Sequence, residues 1–178
     1  MAEKEVKTEE LEQHDFYDDD YIDEQEDVLA PIIGSFLINF SRLEHEVNIS
    51  LSDTISHSSH HVGYIIVKDL DFSEKVSILK DLITLHLSAT GSKNLKRFGV
   101  LHKRLVECME FRNKIAHANW NTLDEEGFVR VKISAGKNSG FVTLKKERLT
   151  PDVIKEGIER MSNLEDELYE FLENEQLA

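Results

Sequence analysis

The sequence predicts a mostly α-helical fold, an antiparallel four-helix bundle with a β-hairpin inserted before the last helix. Three observations carry this. Apolar residues recur at steps of three and four over four long stretches, as amphipathic helices require. The period shortens to two in one stretch, around Val129 to Ile133. Only two prolines and eight glycines among 178 residues leave little material for the turns of an all-β fold.

The first helix is expected from Val28 to Ile55. Leu29, Ile33, Phe36, Phe40, Leu43, Val47 and Leu51 form one continuous apolar stripe, and Pro31 falls in the first turn, where its missing N–H costs nothing. Residues 56–61 read as a break, and Tyr64 to Val67 as either a short strand or a helical turn. Asp71 with Glu74 three residues later is a capping-box signature. It opens a second helix along Phe72, Val76, Leu79, Ile83 and Leu87, ending near Gly91. A third helix starts at Ser92 or Lys93 and runs to about Ala118, with Phe98, Leu101, Leu105, Cys108, Met109 and Ile115 on its apolar line. Val129, Val131 and Ile133 then alternate with polar neighbours, residues 135–140 turn, and Phe141 to Lys146 returns, giving a hairpin over about 127–147. Thr150, Pro151 and Asp152 are an N-cap, a proline at the first helical position and an acid in the first turn. The last helix follows through Ile154, Ile158, Met161, Leu164, Leu168 and Phe171.

This length suits one domain, assigned to residues 28–178, and 40% hydrophobic content supplies a core. The single cysteine, Cys108, excludes an intramolecular disulfide framework and a cysteine-based zinc ribbon. No apolar run reaches the roughly 18–20 residues of a membrane span, and the acidic N-terminus is no signal peptide. The expectation is a cytoplasmic protein with no membrane partner and no cofactor.

The formal net charge is −14, which at first argues against a polyanionic ligand. The charge is unevenly spread, however. Residues 1–27 carry −11 and residues 152–178 carry −7, whereas residues 28–151 carry +4. The first segment reads as a solvated, disordered acidic tail, and the centre of the chain is basic.

One position breaks the helical pattern. The third helix's core line steps through 101, 105, 108, 112 and 115, and position 112 is an arginine. A charge on a buried stripe is costly unless it is paired or faces a cavity. Asn113 follows it, and His117 lies one turn beyond Asn113. On an ideal helix Arg112 and His117 stand about 140° apart, so they meet one ligand only if Arg112 curls around or the helix loosens near its end at His117-Ala118-Asn119. Glu44 or Glu46 of the first helix offers Arg112 a structural ion pair, which is the competing explanation. The same Arg–His spacing recurs at Arg97 and His102, mid-helix and followed by Phe98 rather than a polar residue.

The segment from Phe111 to Trp120, with Arg112, Asn113 and His117, resembles the Arg-x(4–6)-His motif of the HEPN family (higher eukaryote and prokaryote nucleotide-binding domains). The polar residue after the arginine and the place near the end of a late helix fit as well. The resemblance implies an HEPN-like bundle, and for many members a metal-independent endoribonuclease used in defence or toxin–antitoxin systems. The residue types suit that chemistry. Internal RNA cleavage needs a base for the 2′-OH and an acid for the leaving 5′-oxygen, and histidine serves as either near neutrality. Arginine clamps phosphate bidentately. One chain offers one motif histidine, so a homodimer with both motifs at its two-fold interface completes the pair.

The expected catalytic residues are therefore Arg112, His117 and Asn113, with Glu44 orienting Arg112 and RNA as substrate. An antitoxin or other partner protein is a further expectation, and the rival reading is a non-catalytic HEPN-like interaction or regulatory module. Family toxins that are silenced by nucleotide addition carry a tyrosine two residues after the histidine; Asn119 stands there. Arg130, Lys132 and Lys145 on one hairpin face are either a polar outer surface or an RNA-contacting wing. His57, His60 and His61 lack a matching cysteine or acid and read as a solvated loop, so no metal is expected. Trp120 is assigned to packing beneath the hairpin, and Cys108 to the core.

Overall fold

A computed structural model of the chain describes residues 4–5, 19–56, 59–118, 120, 123–124, 127–135 and 142–177. Among them are five helices, α1 (Asp19–Ile55), α2 (His60–Val67), α3 (Phe72–Thr90), α4 (Leu95–Ala116) and α5 (Pro151–Asn174), and four strands, β1 (Lys4–Glu5), β2 (Leu123–Asp124), β3 (Gly127–Ala135) and β4 (Val142–Arg148). The helical class expected from the sequence is therefore present. By its internal contacts the chain falls into two compact units, Met1–Gly34 with Lys114–Lys155, and Ser35–Asn113 with Glu156–Ala178.

Among the described residues the second unit carries most of the buried apolar side chains. α1 contributes Phe36, Phe40, Leu43, Val47 and Leu51, α3 contributes Val76, Leu79, Ile83 and Leu87, and α4 contributes Phe98, Leu101, Leu105 and Cys108, all buried. α5 adds Met161, Leu164, Leu168 and Phe171. Each is a position the three–four periodicity selects, and each such side chain stabilises the fold by about 1.5–3 kcal/mol when removed from water. Aromatic pairs lock the layers: Phe36 meets Phe111 edge-on at 5.4 Å, and Phe98 stacks on Phe171 at 5.5 Å. Gly157 lets α5 approach α4, because a Cβ there would lie 2.2 Å from Phe111 Cε1.

Local chemistry sets the helix ends. At α3 both halves of the capping box form: the Glu74 N–H donates to Asp71 Oδ1 and the Asp71 N–H donates to Glu74 Oε2, each at 2.8 Å. The helix closes on Gly91 at φ 67°, a left-handed turn in which the Ser92 N–H reaches the Leu87 carbonyl at 2.9 Å. α5 ends the same way without a glycine: Gln176 takes φ 60°, the Leu177 N–H donates to the Leu172 carbonyl, and Leu177 is buried.

Two expectations are corrected. Residues 60–67 form a helix of eight residues, where 60–61 were expected in a break and Tyr64 to Val67 stood open between a short strand and a helical turn, so the described chain has five helices rather than four. The residue that permits this is Gly63. A Cβ at that position would stand 2.2 Å from the Ser52 carbonyl oxygen, so α2 packs backbone against backbone on α1. Almost everything else on α2 faces outward: Val62, Tyr64, Ile65 and Ile66 are 50–65% exposed, and the helix carries no Asp, Glu, Lys or Arg.

The second correction concerns α1, which begins at Asp19, not Val28, and carries Pro31 in its interior. Proline inside a helix costs about 3 kcal/mol. Asp19 and Asp20 open the helix and lie at the positive end of its macrodipole, which favours acids within the first turn and so supports a start upstream of Val28. Their negative charge, read from composition as a mark of disorder, is thus compatible with helix. Residues 1–3 and 6–18 of the expected tail lie outside the described residues.

In the first unit β3 and β4 pair antiparallel from Val129 opposite Arg148 to Ala135 opposite Val142, within a sheet of order β1-β4-β3-β2. The turn expected at 136–140 lies outside the described residues. Leu29, Ile115, Leu149 and Ile154 are buried in this unit, and Lys114 Nζ pairs with Glu147 Oε1 at 2.7 Å. Thr150 caps α5, its Oγ1 accepting from the Val153 N–H at 3.3 Å.

Candidate functional site

Arg112 stands on the stripe of α4 defined by Leu101, Leu105, Cys108 and Ile115, yet it is only half-buried. Its guanidinium lies over the Phe40 ring, 5.6 Å from the centroid, a geometry in which the ring quadrupole attracts the cation. Nη1 donates to Asn113 Oδ1 at 3.1 Å. Phe40 is itself fixed by an edge-on contact with Phe72 at 5.0 Å. The arginine is therefore positioned by an aromatic face and an amide. Among the described residues no carboxylate forms an ion pair with it.

Glu44, one helical turn beyond Phe40, is occupied elsewhere. Its Oε1 receives Lys75 Nζ at 3.4 Å. Lys75 is 5% exposed, so its ammonium is drawn to the nearest carboxylate rather than left bare in the core. Glu46 faces a different hollow, lined by Ser41, Arg42, His45 and Glu165. Burial and then the neighbouring Glu165 raise its carboxyl pKa from the ordinary value. Neither acid proposed as a structural partner of Arg112 pairs with it.

Phe40, Glu44, Asp71, Phe72, Ser73, Met109, Arg112 and Asn113 together line a cleft of about 370 Å³. The structure thus brings Arg112, Asn113 and Glu44 together within one unit. His117, the remaining member of the expected set, is the first residue after α4, exposed, and belongs to the other unit. In the strands, Lys132 stands opposite Lys145 and Arg130 opposite Glu147; the side chains of Arg130, Lys132 and Lys145 lie outside the described residues. His61 is exposed, and among the described residues no group of three His, Cys, Asp or Glu could hold a metal ion.

Sequence reasoning missed five of the eight residues that line the cleft, Phe40, Asp71, Phe72, Ser73 and Met109, and also Lys75, the partner of Glu44. Phe40 was assigned wholly to the core, and Asp71 only to the cap of α3. Lys75, which engages Glu44 Oε1, gave a signal that was available: it lies one turn after buried Phe72 and one before Leu79, on the buried side of α3. A charge there asks for a partner, as the same rule asked for Arg112.

Cys108 is buried, and the loss of solvation raises its thiol pKa against the opposing pull of Arg160 and Arg104. It remains a neutral thiol packed in the core. Among the described residues no helix is long and apolar enough to cross a membrane. Comparison of the chain with protein-family models, with curated proteins and with solved structures gave no match.

Proposed function

We propose that the chain is a metal-independent endoribonuclease of HEPN type, built on an antiparallel four-helix HEPN-like core with a hairpin before the last helix. It cleaves RNA as a cytoplasmic homodimer whose composite site pairs two motifs, and it serves as a defence or toxin–antitoxin component with a cognate partner protein. In this reading Arg112 clamps the scissile phosphate and neutralises the charge that grows on it. His117 takes the 2′-OH proton or gives one to the departing 5′-oxygen. The 2′-oxygen bonds to phosphorus as the bond to the 5′-oxygen breaks, and the second protomer's histidine handles the other proton. Asn113 holds the guanidinium through the bond it already makes.

The single observation that carries this reading is the state of Arg112. A cation on an apolar stripe, fixed by Phe40 and Asn113, faces an open cleft with no carboxylate ion pair among the described residues. A structural arginine would be expected to spend its charge on Glu44 or Glu46. The test is incubation of the purified chain with RNA in EDTA, beside His117→Ala. Cleavage by the parent and none by the variant is the expected result. Equal cleavage by both would overturn the assignment.

The alternative, a non-catalytic HEPN-like helical dimer acting as an interaction module, draws on the exposed apolar side chains of α2. It predicts no cleavage by either protein and a partner-dependent change in the exposure of Tyr64.

A further inference from the structure

The cleft around Arg112 offers acceptors as well as donors. We infer that it reads a nucleobase carrying an exocyclic amino group at the cytosine N4 or adenine N6 position (cytosine or adenine, and not uracil) through the carboxylates of Asp71 and Glu44. The inference rests on the ribonuclease reading in taking the base from the RNA whose phosphate Arg112 holds.

Each carboxylate has one oxygen engaged and one left for a ligand. Asp71 Oδ1 accepts from the Glu74 N–H at 2.8 Å and Glu44 Oε1 from Lys75 Nζ at 3.4 Å. Among the described residues no hydrogen bond reaches Asp71 Oδ2 or Glu44 Oε2. Those engaged oxygens also spread the negative charge, one into the first turn of a helix and the other onto a buried ammonium. Two acids and a phosphate-binding arginine thus line one cleft with part of the acids' charge offset.

Donors and acceptors are both needed for a nucleotide, and both are here. Arg112 keeps four of its five N–H groups after the bond to Asn113. The volume of about 370 Å³ lies within the roughly 300–1,000 Å³ of small-ligand sites. Arg112 in the same wall disfavours a lysine or arginine side chain as the occupant. Phe40 and Phe72 are buried, and Arg112 covers one face of Phe40. Selectivity by base stacking on these rings is thus closed off, and edge hydrogen bonding remains. A carboxylate accepts from the exocyclic amine of cytosine or adenine, whereas uracil presents a carbonyl oxygen at that position and has only its ring N3–H to donate.

The experiment measures binding, so that it stands apart from cleavage. Fluorescent oligo(A), oligo(C) and oligo(U) are titrated against the full chain carrying His117→Ala, then against that chain with Asp71→Asn, Glu44→Gln or Arg112→Ala added. Asparagine caps a helix as well as aspartate does, which keeps α3 intact while an amide donor replaces the free acceptor. Oligo(A) and oligo(C) are expected to bind about ten-fold more tightly than oligo(U), and Asp71→Asn or Glu44→Gln to bring that ratio toward one. Arg112→Ala is expected to weaken all three alike. Equal binding of the three oligomers, or a ratio untouched by both amide variants, overturns the inference. In that case uniform loss with Arg112→Ala leaves the ribonuclease reading standing. Absence of binding to any oligomer by a folded chain overturns the base reading whatever the cleavage assay gives.

Discussion

Replacing Gly63 by alanine tests the contact that makes α2 possible. In an open helix position the change stabilises by roughly 1 kcal/mol, since glycine has the greater conformational freedom to lose. At Gly63 the new methyl would stand 2.2 Å from the Ser52 carbonyl oxygen and 2.7 Å from both Ser52 Cα and its carbonyl carbon. Ordinary contact begins at 3.4 Å, so α2 must retreat by about 1.2 Å. The obstacle is backbone, and no rotamer relieves it. Overpacking of this kind costs typically 1–3 kcal/mol and sometimes more. Less the helix gain, a net loss of about 1–2 kcal/mol is expected, a fall in Tm of roughly 2–8 °C for a chain of this size. Gly99 in α4 is the control, with nothing within 4 Å of its would-be Cβ, and Gly99→Ala should stabilise by up to about 1 kcal/mol. Urea titrations followed by far-UV circular dichroism compare the three proteins. Equal stabilisation by both alanines would refute the close approach of α2 to α1.

Asp71→Ala removes the cap of α3 and is expected to cost about 1 kcal/mol, while Asp71→Asn leaves the urea midpoint within error. Glu44→Ala leaves Lys75 buried without its carboxylate and should destabilise by about 3 kcal/mol; Lys75→Met, which removes the charge and keeps the volume, should cost much less, and the same titrations rank the two. Glu46 has a folded-state pKa raised from the ordinary 4.5, chiefly by burial and then by Glu165. For a carboxyl shifted upward the ionised form is disfavoured by folding. Its penalty is absent below 4.5, grows as pH rises through the raised value, and is fully present above it. Glu46→Gln should therefore raise Tm at pH 7 and leave it unchanged at pH 4, as measured by calorimetry.

The helices were legible because their information is local and repeated. Leu43, Val47 and Leu51 on α1, or Leu101 and Leu105 on α4, each restate the same face, and every one is buried. The cap at Asp71 and the stop at Gly91 were legible for the same reason, since each is written within four residues. α2 was not. Its identity as a helix turns on one glycine meeting Ser52 eleven residues earlier, and Tyr-Ile-Ile-Val has strand and helix readings of equal weight. The start of α1 was misread because acidic composition signals solvation and disorder on average, whereas a helix N-terminus rewards it.

For the cleft, Arg112 announced itself by breaking a stripe, and Asn113 by following it. Which acid met which cation was not written in either helix alone. Glu44 could serve Arg112 or Lys75, and packing decided in favour of Lys75, which lies 31 residues away.

The uncharged surface of α2 has a consequence for handling the protein. Val62, Tyr64, Ile65 and Ile66 stand out from a helix that is otherwise anchored at Gly63 and Val67, so the native state presents apolar groups to solvent. Environment-sensitive dyes such as anilinonaphthalene sulfonate, whose brightening is commonly taken as a sign of loosened tertiary packing, will brighten on the folded chain as well. For this protein the diagnostic reading is the change in dye signal after Ile65→Lys and Ile66→Lys. A signal that falls with these substitutions reports α2, and one that survives them reports genuine loss of packing.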